Sequence, residues 1–144
     1  MIQFWGATRI VSFMPFRRKL LVLDKAHQLL VDLNKVIPGI RPAHLQSLKR
    51  QLFKSALSTA SNLAEGRTKH SQREFLRFLE IALGSAGELQ YQLKTANDCR
   101  ALPPEEGTDL ANRAEEVAKM IQGLIRRIKS DLGDEQTVAE REES

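Results

Sequence analysis

Apolar residues recur along this chain at intervals of three and four, and Pro, Gly or capping residues interrupt them at three places. That pattern predicts four helices and no strand. The clearest run is Phe75, Phe78, Leu79, Ala82, Ala86, Leu89, Leu93 and Ala96, whose period of about 3.5 residues is that of a left-handed helical bundle. It predicts a third helix over Gln72–Cys99. Ser71 followed by Glu74 reads as its capping box, the hydroxyl accepting from the third amide and the carboxylate reaching back.

Upstream, Leu45, Leu48, Leu52, Ala56, Thr59 and Leu63 form the inner stripe of a second helix over Ala43–Glu65, widened by Phe53, Ala60 and Ala64. Gly66 is expected to end it in the left-handed conformation. So short a link to Ser71 folds helices two and three antiparallel. Helix one is expected over Pro15–Val36 on Phe16, Leu20, Leu23, Ala26, Leu30, Leu33 and Ile37, with Pro15 in its first turn and Pro38-Gly39 closing it. Arg41-Pro42 delays the next element. After Leu102-Pro103-Pro104, helix four is expected over Glu105–Leu132 on Leu110, Ala114, Val117, Ile121, Leu124, Ile128 and Leu132, with Gly133 as its stop. The predicted fold is all-α, an antiparallel up-down-up-down four-helix bundle over residues 15–132.

Both ends are read separately. Residues 1–14 are apolar but lack the basic start and small-residue cleavage site of a signal peptide, and we read them as an extension upstream of a natural start at Met14. Residues 133–144 have almost nothing to bury and are expected to be a disordered acidic tail.

Charge changes the picture more than composition does. The chain totals +4, yet the tail from Gly133 holds five acids against one Arg, so the part up to Leu132 carries +8. A basic body attracts nucleic acid or an acidic protein, and it also serves solubility. No apolar run approaches the ~20 residues of a membrane helix, so no membrane partner is expected. The single Cys99 excludes an internal disulfide and fits a reducing cytoplasm; we read it as a small buried apolar side chain.

The run Ala60 to Gly66, then Ser71 to Leu93 (SQREFLRFLEIALGSAGELQYQL), resembles the signature of the four-helix-bundle proteins encoded within intervening sequences of large-subunit ribosomal RNA genes. It is similar, more distantly, to the accessory variability proteins of diversity-generating retroelements. The resemblance spans roughly Phe16 to Leu132 and is most specific at Asn62 to Gly66 and Ser71 to Glu88. Ala60 stands where the common pattern has Pro. The family is known more for its fold than for an activity. What the resemblance implies is a homopentamer, a ring of bundles, and a place beside a reverse transcriptase.

Groups that carry chemistry do not assemble in the sequence. His27, His44 and His70 lie on three segments without a partner at metal spacing, and the Glu-x-x-His pairs of a di-iron bundle are missing. Ser58, Ser61 and Ser85 have no recognisable base and read as small residues that let helices approach. Gly84-Ser-Ala-Gly87 sits inside a helix, not after a strand, so it is not a phosphate loop. No cofactor, no metal and no enzymatic activity are expected. Asn62, Glu65, Gly66, Ser71 and Glu74 read as structural residues at helix ends.

Two surface features carry functional expectations. At about 100° per residue from Phe75, Gly84 and Gly87 fall near 180° and 120°, away from the core, where each costs about 1 kcal/mol relative to Ala. Close approach of a second copy accounts for them, so they are the expected oligomer interface. The second feature is basic: Arg50 and Lys54 on helix two, Arg67, Lys69, Arg73 and Arg77 around the connection, Lys119 and Arg126 on helix four. These are the candidate contacts to structured RNA, rather than DNA, or to an RNA–protein complex. No aromatic platform is interleaved, so binding is expected to be electrostatic and not to read bases. The alternative is a protein–protein scaffold whose charge serves solubility.

Overall fold

Of the eight residues in the predicted stripe on helix three, all but Phe78 are buried: Phe75, Leu79, Ala82, Ala86, Leu89, Leu93 and Ala96. In the computed structural model, which describes residues 10–41 and 43–144, this helix is one of four. They are α1 (Ile10–Val36), α2 (Gln46–Arg67), α3 (Gln72–Asp98) and α4 (Pro104–Glu143), with 3-10 turns at Ile37–Gly39 and Ala43–Leu45. No strand occurs among the described residues. The helices pack in cyclic order, α1 on α2, α2 on α3, α3 on α4 and α4 back on α1, which makes an antiparallel up-down-up-down four-helix bundle. In that order α2 stands diagonally across from α4.

The core is built from one face of each helix. Val22, Ala26, Leu29 and Leu33 of α1 meet Leu52, Ala56 and Leu63 of α2, and Leu110, Ala114, Val117, Ile121 and Ile128 of α4 complete it. Alanines at Ala56, Ala60, Ala82 and Ala86 let α2 and α3 approach closely. Ser58 and Ser85 hydrogen-bond across them at 2.8 Å, and Asn62 Nδ2 donates to the Ser58 carbonyl at 2.8 Å. Among the described residues, two ion pairs bind α1 to α4: Lys25 to Glu116 at 2.6 Å and Arg113 to Asp32 at 2.9 Å.

Several expectations are corrected. The buried face of α1 is centred on Val22, Ala26, Leu29 and Leu33, while Leu20 and Leu23 are only partly buried, because the pattern of four apolar columns there allowed two neighbouring stripes. Phe53 is 39% exposed and so does not widen the core. Cys99 is exposed, since it follows the last helical turn. α1 begins at Ile10, upstream of Pro15, and the side chain of Phe16 and the reading of residues 1–9 lie outside the described residues, as does Pro42. Gly133 does not stop α4, which runs on to Glu143 with every side chain beyond Leu132 exposed. A single glycine costs a helix about 1 kcal/mol, too little to end one whose flanking residues are good helix formers.

Candidate nucleic-acid interface

The α2–α3 connection positions the basic candidates. α2 ends at Arg67, one residue beyond Gly66, and Gly66 is helical with φ negative, not left-handed as the sequence suggested. Its use is steric. A Cβ there would lie 2.8 Å from Phe78 Cβ and 3.0 Å from Phe75 Cδ1, so glycine permits the start of α3 to seat against the end of α2. Thr68 then closes the turn, its amide and hydroxyl both donating to the Glu65 carbonyl at 3.1 and 2.7 Å. Ser71 Oγ accepts from the Glu74 amide at 3.1 Å, which starts α3 as expected. The reciprocal bond of a full capping box, from the Ser71 amide to the Glu74 carboxylate, is not made among the described residues.

This short turn brings Arg67, Lys69, Arg73 and Arg77 to one end of the bundle. Arg73 and Arg77 are one turn apart on the outer face of α3, and both are exposed. Lys69 bonds Glu65 at 3.0 Å and lies over the Phe78 ring, 5.2 Å from its centroid, while the Arg77 guanidinium lies 5.7 Å from the same ring. An aromatic therefore does stand among these cations, which the sequence reading missed because Phe78 falls within the core stripe. Its half-buried ring is engaged by two cations. Lys19 of α1 lies at the same end, 4.3 Å from the Phe75 centroid, and burial lowers its pKa.

The other four candidates are not gathered with these. Arg50 and Lys54 are exposed near the start of α2, toward the opposite end of the bundle. Lys119 and Arg126 are exposed on α4, diagonal to α2, so the two pairs occupy outward faces on opposite sides. Lys119 is bonded to Glu115 at 2.8 Å, and that hydrogen bond raises its pKa. Among the described residues, Arg50, Lys54, Arg67, Arg73, Arg77 and Arg126 have no carboxylate within 4.0 Å, whereas Lys69 and Lys119 do. Three of these six unpaired cations lie at the connection, beside the exposed Glu65 and Glu74, and three lie on the flanks.

Gly84 and Gly87 are exposed, and a Cβ at either would meet nothing within 4 Å. They share the outer face of α3 with Ile81 and Tyr91, which are 42% and 71% exposed. Among the described residues no group of three or more His, Cys, Asp or Glu side chains is disposed to hold a metal ion. No helix there is long and apolar enough to cross a membrane.

Comparison with known proteins places this architecture. One solved structure, a protein of unknown function from the S23 ribosomal protein family of Bacteroides thetaiotaomicron, has the same fold with a TM-score of 0.66 and 21% identity, over 76% of this chain and 98% of that one. No curated protein matches the chain. The family described as 23S rRNA-intervening sequence protein matches residues 18–123, from within α1 through the middle of α4. With the Gly66 seat, the Ser71 cap and the buried stripe of α3 all inside that match, this chain belongs to the 23S rRNA-intervening sequence protein family.

Proposed function

We propose that this protein binds structured RNA, or an RNA–protein complex, through the cationic end formed by the α2–α3 connection, and that it does so without catalysis. The observation that carries the reading is that Arg67, Arg73 and Arg77 meet there with no carboxylate within 4.0 Å among the described residues. Arg126 and Lys119 on α4 are further candidate contacts, apart from this cluster, and Lys119 is already bonded to Glu115. Exposed guanidinium groups one helical turn apart can follow a phosphate backbone, and the family name points to ribosomal RNA rather than DNA. A place beside a reverse transcriptase, implied by the more distant resemblance, belongs to the same reading, as does a cytoplasmic location.

Self-association is part of the proposal. The outer face of α3 offers Ile81 and Tyr91 around the bare backbone of Gly84 and Gly87, a surface onto which a second copy can pack closely. The homopentamer implied by the resemblance would multiply the cationic end fivefold and make weak contacts additive. The same apolar exposure favours the second reading, a protein–protein scaffold.

Titration of structured RNA at several salt concentrations decides between them. Affinity should fall steeply with salt for the parent, and less steeply when Arg67, Lys69, Arg73 and Arg77 are changed together to Gln. No binding at about 50 mM salt, or an unchanged slope in a folded variant, would reject RNA binding in favour of the scaffold. Light scattering that gives a monomer mass at micromolar concentration would remove the self-association.

A further inference from the structure

α4 continues past its last core contact at Leu132 to Glu143, and every side chain over residues 133–143 is exposed. A free helix of this length is marginal in water without a surface to pack on. Taking about 100° per residue, Asp134, Glu135, Arg141 and Glu142 all fall within about 60° of Val138, three acids against one base. The extension therefore presents an acidic face with one aliphatic side chain at its centre, and Val138 is 53% exposed.

A complementary face exists on α2. Arg50, Phe53, Lys54 and Leu57 stand at spacings of three and four and so share one side of the helix. Phe53 and Leu57 are 39% and 43% exposed, and neither cation has a carboxylate within 4.0 Å among the described residues. The cationic end at the α2–α3 connection fits the extension less well. Its aromatic, Phe78, is half-buried and already covered by Lys69 and Arg77, leaving Val138 no apolar surface.

We propose that the α4 extension of one copy docks on the Arg50–Leu57 face of a second copy. The same chain cannot make this contact. α4 leaves the bundle at the end where α2 finishes, whereas Arg50 lies about 25 Å back along α2 at 1.5 Å per residue, and reaching it would require α4 to reverse direction. The extension, about 16 Å long, spans the roughly 10 Å from Arg50 to Leu57 with room for its acids at both ends. The contact joins unlike surfaces, so it repeats from copy to copy and closes into a ring or continues as a filament. Individually weak, solvent-exposed ion pairs gain from the apolar centre and from that repetition. This assignment goes beyond RNA binding and moves Arg50 and Lys54 from the RNA surface to the subunit contact.

Disulfide capture tests it on the full chain without RNA. In a Cys99→Ser background, one chain carries Leu57→Cys and a differently tagged chain carries Val138→Cys. On mixing under mild oxidant they should form the mixed disulfide at least about tenfold faster than a control pair with Lys94→Cys in place of Leu57→Cys, and the advantage should shrink at high salt. Arg50→Glu with Lys54→Glu on the first chain should abolish the advantage. Asp134→Lys with Glu135→Lys on the second chain should restore it, which a general loss of folding cannot do. Equal rates for test and control pairs, or failure of the reciprocal charges to restore capture, would overturn the proposal. Because Arg67, Lys69, Arg73 and Arg77 are untouched here, a negative result leaves the RNA reading to its own test.

Discussion

Gly66 on α2 faces Phe78 on α3 so closely that a Cβ on the glycine would lie 2.8 Å from the phenylalanine Cβ, with the Phe75 ring 3.0 Å away on another side. Both obstacles are fixed: one is a Cβ tied to its backbone, the other a buried ring. Gly66→Ala should therefore destabilise the protein by about 1–3 kcal/mol, the cost of overpacking, even though Ala is the better helix former by about 1 kcal/mol. The same change at Gly84 or Gly87, where a Cβ meets nothing within 4 Å, should stabilise the subunit by about 0.5–1 kcal/mol. Urea unfolding of the three variants checks the opposite signs. If α3 packs against a second copy as proposed, the two stabilised variants should also associate more weakly in light scattering.

Leu79 and Leu89 are 0% and 1% exposed on the stripe that α3 turns toward the other three helices. Leu→Ala at either should cost roughly 2–5 kcal/mol, since the helices on both sides limit collapse of the cavity. Chemical denaturation with an unchanged m-value is the measurement, and wild-type stability in either mutant would contradict the packing.

Arg100 has a positive φ of 55° just beyond the end of α3. The Ala101 amide donates back to the Ala96 carbonyl at 2.8 Å and the Arg100 amide to Asn97 at 3.0 Å, the two bonds of a Schellman ending with Arg where glycine is usual. Its side chain is exposed and makes no ion pair among the described residues. Arg100→Gly should raise stability by about 1 kcal/mol, visible as an increase in thermal midpoint with no change in helix content.

The Asp32 carboxyl is partly desolvated, which alone would raise its pKa. Hydrogen bonds from Arg113 and Gln28, the Arg113 charge and a bond from Lys35 outweigh that and hold it below the ordinary 3.8. A carboxyl depressed in the folded state adds stability that is present above its unfolded pKa and is lost as pH falls through the folded value. Asp32→Asn should thus cost a few tenths to about 1 kcal/mol at neutral pH, and the difference from wild type should vanish below the Asp32 pKa in acid. Denaturation series at neutral and acid pH measure it; a deficit that persists unchanged in acid would assign the loss to packing instead of charge.

Much of this molecule is local, and local order is legible in a sequence. The stripe from Phe75 to Ala96 and the Ser71 cap are set by residues three and four apart, so the existence, direction and inner face of α3 follow from spacing alone, as do the short links that force neighbours antiparallel. The +8 body and the acidic tail are likewise properties of the chain. The tertiary structure decided what depends on a second element. Gly66 reads as a helix stop because glycine ends helices, yet its reason is Phe78, which lies twelve residues on and reaches it only after the chain turns. Phe53 fits the α2 stripe but stands outside it, because the angle at which α1 and α3 flank α2 cannot be read from α2. The eight basic candidates look like one set in the sequence. Cyclic packing splits them, setting Arg50 and Lys54 on the side away from Lys119 and Arg126 and leaving only Arg67, Lys69, Arg73 and Arg77 together, because charge adds up through space and not along the chain.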